Sequence, residues 1–260
     1  MSICLLTDFG TKDAYVGTLK GVIQQINPKV SVLDLSHDVA PFNILQAAWI
    51  LSQNYRYFPK KTIFIAVVDP GVGSKRLGLL IETKDYFFVG PDNGIFTGIF
   101  QQEKIKYILH LNQKKYFLKN PSSTFHGRDI FAPVAAHLSK GISSRCFGEK
   151  ISTYTSLPHY LPRRMKNFIE GQVLSIDHFG NIITNLSKEI LSSFPTSSFH
   201  LKIGNKILHH FVASYYEAPQ KMPVFLIGSS GLIEIAFNGG SAQNYFKIKV
   251  GAKVTLSGSS

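Results

Sequence analysis

The chain has 260 residues, of which 44% are hydrophobic and 17% charged, and it carries a formal net charge of +12. That balance excludes a disordered chain and leaves room for one large or two modest domains. Only two cysteines occur, Cys4 and Cys146, which excludes a disulfide framework and, with no visible leader, points to a reducing, cytoplasmic setting.

Ile3 to Thr7 reads as a first strand, followed by the turn Asp8-Phe9-Gly10-Thr11. A helix is expected from Asp13 to Asn27, because Tyr15, Leu19, Val22, Ile23 and Ile26 recur at helical spacing and Pro28 stops it. Asp13 is placed as its cap. Val30 to Leu35 is the next strand, and Asn43 to Gln53 a helix carrying Trp49, the single tryptophan, as a core residue. Residues 62–76 read TIFIAVVDPGVGSKR. The apolar and β-branched run describes a strand buried on both faces, ending in Asp69 and a glycine-rich turn. Leu79 to Ile81 and Tyr86 to Val89 form a strand pair, and Asp129 to Ser139 a later helix with Pro133 near its first turn.

This alternation predicts a layered α/β domain with a mostly parallel sheet over residues 1–156. Residues 157–167, rich in proline and basic side chains, read as a linker. Residues 168–260 read as a smaller antiparallel β domain, with strands at Gly171–Ile176, Leu201–Ile203, Val224–Ile227, Leu232–Ala236, Tyr245–Val250 and Lys253–Leu256. The tail Ser257-Gly258-Ser259-Ser260 is expected to fray. No segment approaches the roughly 20 apolar residues of a membrane span. The basic residues are dispersed and carry no nucleic-acid-binding signature, so neither a membrane nor a specific nucleic acid is expected as partner.

Several polar motifs punctuate the predicted strand and helix ends, and each has a plain structural reading beside a chemical one. Asp8 and Asp69 lie at carboxyl ends of strands, where open α/β sheets bind ligands, but an aspartate there also caps turns. Gly71-Val72-Gly73 completes neither the dinucleotide nor the P-loop fingerprint. Phe125-His126-Gly127-Arg128-Asp129 opens a helix, with Asp129 readable as its N-cap. Ile176-Asp177-His178-Phe179-Gly180-Asn181 ends a strand and reads as a polar turn or a ligand contact. Glu234 interrupts an apolar strand, facing either solvent or a buried partner. No cluster of histidines and carboxylates supports a metal.

The order of these motifs is more specific than any one of them. Asp8-Phe9-Gly10, Val67-Val68-Asp69-Pro70-Gly71-Val72-Gly73 with Arg76, Pro91-Asp92-Asn93-Gly94, Phe125-His126-Gly127-Arg128-Asp129, the Asp177 to Asn181 turn, and Gly228-Ser229-Ser230-Gly231 with Glu234 and Asn238-Gly239-Gly240-Ser241-Ala242 together closely resemble one family. It is the S-adenosylmethionine hydroxide adenosyltransferases, hydrolytic relatives of the adenosylmethionine-dependent fluorinase and chlorinase. The resemblance runs from Ile3 to Val254. It implies hydrolysis of S-adenosylmethionine to adenosine and L-methionine, without metal or cofactor, with the (R)-sulfonium epimer as a family-level substrate. It also implies a homotrimer with sites between the N-terminal domain of one subunit and the C-terminal domain of the next. The catalytic set maps to Asp69, Arg76 and His126, the ribose-binding carboxylate to Asp8, and the ligand contacts of the second domain to Asn181, Ser229, Glu234 and Phe237, with Asp177 and Phe179 nearby. Asp69 stands where the fluorinase has a tyrosine, and His126-Gly127 where a halogenating relative has its serine, so halogenation is not expected. A protein that binds adenosine or S-adenosylmethionine without turnover is the alternative.

Overall fold

The computed structural model describes residues 1–158, 160–194 and 199–258. The chain forms two compact units, Met1–Leu157 and Pro158–Ser260.

The first unit contains β1 (Ser2–Thr7), α1 (Tyr15–Ile26), β2 (Ser31–Ser36), α2 (Ile44–Asn54), β3 (Ile63–Val67), β4 (Gly78–Thr83), β5 (Phe87–Pro91), α3 (Thr97–Gln102), β6 (Ile105–Leu111), α4 (Ala132–Ser139) and β7 (Gly148–Lys150). Its seven-stranded sheet has the order β2-β1-β3-β5-β4-β6-β7. The pairs from β2 to β5 are parallel, and those from β5 to β7 antiparallel. Every residue of β3 is buried. Its alternate side chains serve two cores: Ile63, Ile65 and Val67 pack on the α1 and α4 side, Phe64 and Ala66 on the α2 and α3 side. Burying each large aliphatic side chain contributes about 1.5–3 kcal/mol, so this strand anchors the unit.

Chain order makes the site. From β1 the chain crosses by α1 to β2 on one flank, then by α2 to β3 on the other flank. The carboxyl ends of β1 and β3 therefore open side by side at a topological switch point, where such sheets bind ligands. Thr7 pairs with Val67, so Asp8 and Asp69 emerge from neighbouring strands within two residues of that pair.

The second unit contains β8 (Arg163–Arg164), β9 (Ile169–Ile176), β10 (Ile182–Ser187), β11 (Phe199–Ile203), β12 (Lys206–Leu208), β13 (Pro223–Ile227), β14 (Leu232–Phe237), α5 (Ala242–Phe246) and β15 (Lys253–Gly258). Among the described residues its strands pair antiparallel, with one isolated parallel bridge between Phe211 and Phe225. Within the stretch read as a linker, Arg163–Arg164 pairs with β9 and Tyr160 is buried. His159 lies outside the described residues.

Four local expectations are corrected. Tyr245–Val250 is not a strand: Ser241 caps the short helix α5 by accepting from the Asn244 N–H, and the chain then turns. Asp13 does not cap α1, whose N-cap is Ala14 with no side-chain bond. Trp49 is only half-buried. Ser257 and Gly258 belong to β15 rather than a frayed tail, while Ser259 and Ser260 lie outside the described residues. Among the described residues no helix is long and apolar enough to cross a membrane.

Candidate active site

Asp69 follows Val68, a fully buried residue just past β3, and its side chain is 5% exposed. The chain then turns back through Gly71 and Gly73 and returns Arg76 to the same carboxylate. Arg76 Nε donates to Asp69 Oδ1 at 2.9 Å and Nη2 to Oδ2 at 2.5 Å, a bidentate fork. The Arg76 side chain is 9% exposed and its guanidinium lies 5.5 Å from the centroid of the Phe131 ring. Nη2 also lies 2.8 Å from His126 Nδ1. A guanidinium has no acceptor, so Nδ1 must accept; a neutral His126 then carries its proton on Nε2.

His126 reaches this position from a distant segment. It precedes a π-helical turn, Gly127–Phe131, that leads into α4. Asp129 is not the N-cap of that helix: it sits inside the turn, 2% exposed, where Oδ2 accepts from the Ser122 N–H at 2.8 Å and Arg128 Nε donates to Oδ1 at 2.6 Å. It thereby ties down the loop that carries His126. Gly73, at φ +80°, approaches the same loop so closely that a Cβ would sit 2.4 Å from the Ser123 carbonyl oxygen. Burial, and then the Arg76 charge, lower the His126 pKa below the ordinary imidazole value; Asp69 and Asp129 oppose this in part. The histidine is half-buried at the mouth of a cleft rather than in the core.

That cleft has a volume of about 610 Å³. Asp8, Asp69 and His126 line it, together with the aromatic side chains Phe9, Tyr15, Phe42 and Phe125. Asp8 is no simple turn cap, because its Oδ2 accepts from the N–H of Phe42, 34 residues away, at 2.8 Å. Asn93 of the Pro91 to Gly94 motif supports the strand end from behind by donating to the Val68 carbonyl at 2.8 Å.

In the second unit, Asp177 and Asn181 close the turn between β9 and β10. Asp177 accepts from the backbone N–H of Asn181 at 2.8 Å and from its side-chain amide at 3.0 Å. Phe179, at the tip of that turn, is 76% exposed. Glu234 is buried in β14, opposite Ile183 and Leu226. It faces the smaller apolar cluster rather than solvent, and the Tyr215 hydroxyl donates to its carboxylate. Burial raises the Glu234 pKa, the Asp177 charge adds to the rise, and the Tyr215 bond works against it. Phe237 ends β14, whereas Ser229 sits in the turn before that strand begins. The six residues of β14 separate them by roughly 17 Å of strand, so these two side chains frame opposite ends of a surface.

A family model for the N-terminal domain of SAM hydroxide adenosyltransferases matches residues 3–148, and the model for their C-terminal domain matches residues 171–255. The chain belongs to the SAM hydroxide adenosyltransferase family. The (R)-S-adenosyl-L-methionine hydrolase of Methanocaldococcus jannaschii is 38% identical, with 90% of this chain and 87% of the relative covered. That of Thermus thermophilus is 33% identical over 98% of each chain. The crystal structure of an uncharacterized conserved protein from Thermotoga maritima superposes with a TM-score of 0.89 at 35% identity, covering 98% of this chain and 99% of that one. Fluorinases also match, at 24% identity or less.

Each unit gathers its own share of this family's motifs. The first brings Asp8, Asp69, Arg76 and His126 to the carboxyl ends of its central strands; the second sets Asp177 and Asn181 in the β9–β10 turn and Glu234 within the neighbouring β14, near enough for the Asp177 charge to act on it. Tyr215 carries no motif and escapes the sequence reading. The only signal for it is indirect, since a carboxylate buried in a strand demands a donor.

Proposed function

We propose that this chain hydrolyses S-adenosylmethionine to adenosine and L-methionine, with the (R)-sulfonium epimer as the preferred substrate. The observation that carries this reading is the Asp69–Arg76–His126 constellation at the carboxyl edge of β3, beside Asp8. The names of the hydrolase relatives support it.

The chemistry asks little of the leaving group. As water attacks ribose C5′, the new C5′–O bond forms, the C5′–S bond breaks and its electron pair returns to sulfur, leaving a neutral thioether. The nucleophile is the difficult part, because bulk water has a pKa of about 15.7. Each Asp69 oxygen spends one acceptor site on Arg76 and keeps another for water. Asp69 thus orients the water and takes its proton. His126, tied at Nδ1 by Arg76, presents Nε2–H as a donor to the same oxygen and favours hydroxide character there. Arg76 holds both partners through one guanidinium. Holding the water in line with the C5′–S bond supplies the remaining advantage through orientation. Asp8 takes the ribose diol. Asn181, Glu234, Phe237 and Ser229, with Asp177 and Phe179, contact the rest of the ligand. The proposed step draws on no metal or cofactor.

A homotrimer with sites shared between subunits rests on the family resemblance, and a cytoplasmic setting on the sparse, unpaired cysteines Cys4 and Cys146.

The test is chromatography of each sulfonium epimer incubated with the protein. Wild type should release adenosine and methionine in equal amounts, faster from the (R) epimer. Asp69→Asn and His126→Ala should each slow release by about 10²–10⁴-fold. A wild-type protein that binds but releases no adenosine is a binding module, and two fully active variants would overturn the catalytic assignment.

A further inference from the structure

Behind Asp8 lies a polar chain, buried at Thr7 and His37 and exposed at Asp34 and Lys20, that the proposed chemistry does not use. Thr7, fully buried at the end of β1, has its Oγ1 2.8 Å from His37 Nδ1. His37, 6% exposed, has its Nε2 3.0 Å from Asp34 Oδ1, and Asp34 Oδ2 accepts from Lys20 Nζ of α1 at 2.6 Å. The directions follow from the partners. Nε2 lies at ion-pair distance from the Asp34 carboxylate without completing a hydrogen bond, and that charge favours a proton on Nε2; Nδ1 then accepts from the Thr7 hydroxyl, and Thr7 Oγ1 is left to accept from the Phe9 N–H at 3.3 Å. The backbone carbonyl of His37 accepts from the Gly10 N–H at 2.8 Å. Gly10 has φ +65°, the left-handed geometry this turn requires. His37 therefore grips the turn on both sides of Asp8: Phe9 through Thr7, and Gly10 directly.

The sheet is irregular where this happens. β1 and β2 run in step from Ser2 with Ser31 to Leu5 with Asp34, and then slip, so that Leu6 faces Ser36. The residue passed over is Leu35, and the slip brings His37 opposite Thr7. Bulges of this kind re-aim side chains beside active sites. Five residues beyond His37, the N–H of Phe42 meets the Asp8 carboxylate. One segment, 37–42, thus fixes both the backbone and the side chain of the ligand-facing aspartate.

We propose that the Thr7–His37–Asp34 chain is the device that presents Asp8, with His37 a positioning residue for adenosine recognition rather than a catalytic one. This inference rests on the assignment of Asp8 to the ribose diol. Asp8 lines the cleft whereas Thr7, His37 and Asp34 do not, so the chain acts on binding and leaves the water and its activating groups untouched.

The experiment combines ligand binding, kinetics and amide exchange. In His37→Ala and in the isosteric Thr7→Val, the Kd for adenosine and the KM for S-adenosylmethionine should rise about tenfold while kcat changes by less than about twofold. His37→Asn, whose amide oxygen takes the place of Nδ1, and Thr7→Ser should return most of the affinity. On an Asp8→Ala background, His37→Ala should add nothing further to Kd. In the ligand-free protein, exchange at the Phe9 and Gly10 amides should accelerate in Thr7→Val and not in Thr7→Ser. Unchanged Kd and exchange in Thr7→Val, or full additivity with Asp8→Ala, would overturn the inference. If wild type binds adenosine yet releases none from S-adenosylmethionine, the hydrolysis reading fails, while binding and exchange still decide this one.

Discussion

Asp69, Arg76 and His126 behave as one unit because each removes a choice from the next. The bidentate fork fixes the carboxylate plane, and the third contact of Arg76 fixes the imidazole tautomer. Both side chains of the ion pair are almost fully buried. Deleting Arg76 would leave a carboxylate without its partner and cost roughly 3–5 kcal/mol of stability, which would confound any kinetic reading. His126 offers a cleaner one. Its pKa is lowered, first by burial and then by Arg76, so the neutral form persists below the ordinary value near 6.5. Release of adenosine should therefore stay level as pH falls to 6.5, and decline only below it, when Nδ1 gains a proton facing a guanidinium. A kcat/KM profile between pH 5 and 8 checks this; a decline centred above 6.5 would contradict it. The sign for stability follows. A base with depressed pKa leaves the unfolded chain holding the extra proton, so stability is complete above pH 6.5 and is lost as pH falls through the window below it. His137, also lowered by burial, adds to the same trend.

At the scale of elements, the site depends on two loops meeting. The turn after β3 and the segment before the π-helical turn touch at Gly73 and Ser123, and that contact sets the spacing of Arg76 and His126. Gly73→Ala must both strain a left-handed residue and push against a backbone oxygen, so it should lower kcat/KM at least tenfold and cost more than about 1 kcal/mol. Gly141→Ala is the control: it is left-handed too, at φ +89°, but faces open space, so it should cost stability alone. Equal activity in both variants would show that the loop contact does not set the site. Much of this scaffold was legible beforehand. The β3 run and the α1 periodicity announce themselves, because core-facing positions must repeat with the element. What escaped depends on tertiary partners. The antiparallel half of the first sheet hides in strands whose composition carries no direction. Tyr245 to Phe246 has the letters of a strand, but the Ser241 cap turns it into helix. Asp8 and Asp129 have the look of turn and cap residues, and only the fold reveals that they clasp the remote backbones of Phe42 and Ser122. The pairing of Asp69, Arg76 and His126 came from family resemblance, since no spacing rule joins residue 76 to residue 126.

At the scale of the molecule, each compact unit owns a cluster of ligand-type side chains. The first presents the Asp69–Arg76–His126 group and the second a pair of carboxylates, Asp177 and Glu234, in a protein of net positive charge. The proposed substrate carries net positive charge near neutral pH, so the overall +12 does not attract it. The proposed trimer with sites shared between neighbouring subunits predicts that light scattering returns three times the chain mass at working concentration, and that turnover per chain falls on dilution as trimers dissociate. A monomeric mass with undiminished turnover would refute the shared site.

The rooting of Asp69 has a consequence for how this protein fails. It extends from a strand with no exposed residue, packed into cores on both faces, and such strands open only in the highest-energy fluctuations of a domain. The carboxylate proposed to activate the nucleophile therefore has no private route to disorder. Warming or denaturant should leave no long-lived loosened state in which the first unit is folded but its chemistry is gone, and the last activity should vanish with the last protected amides of β3.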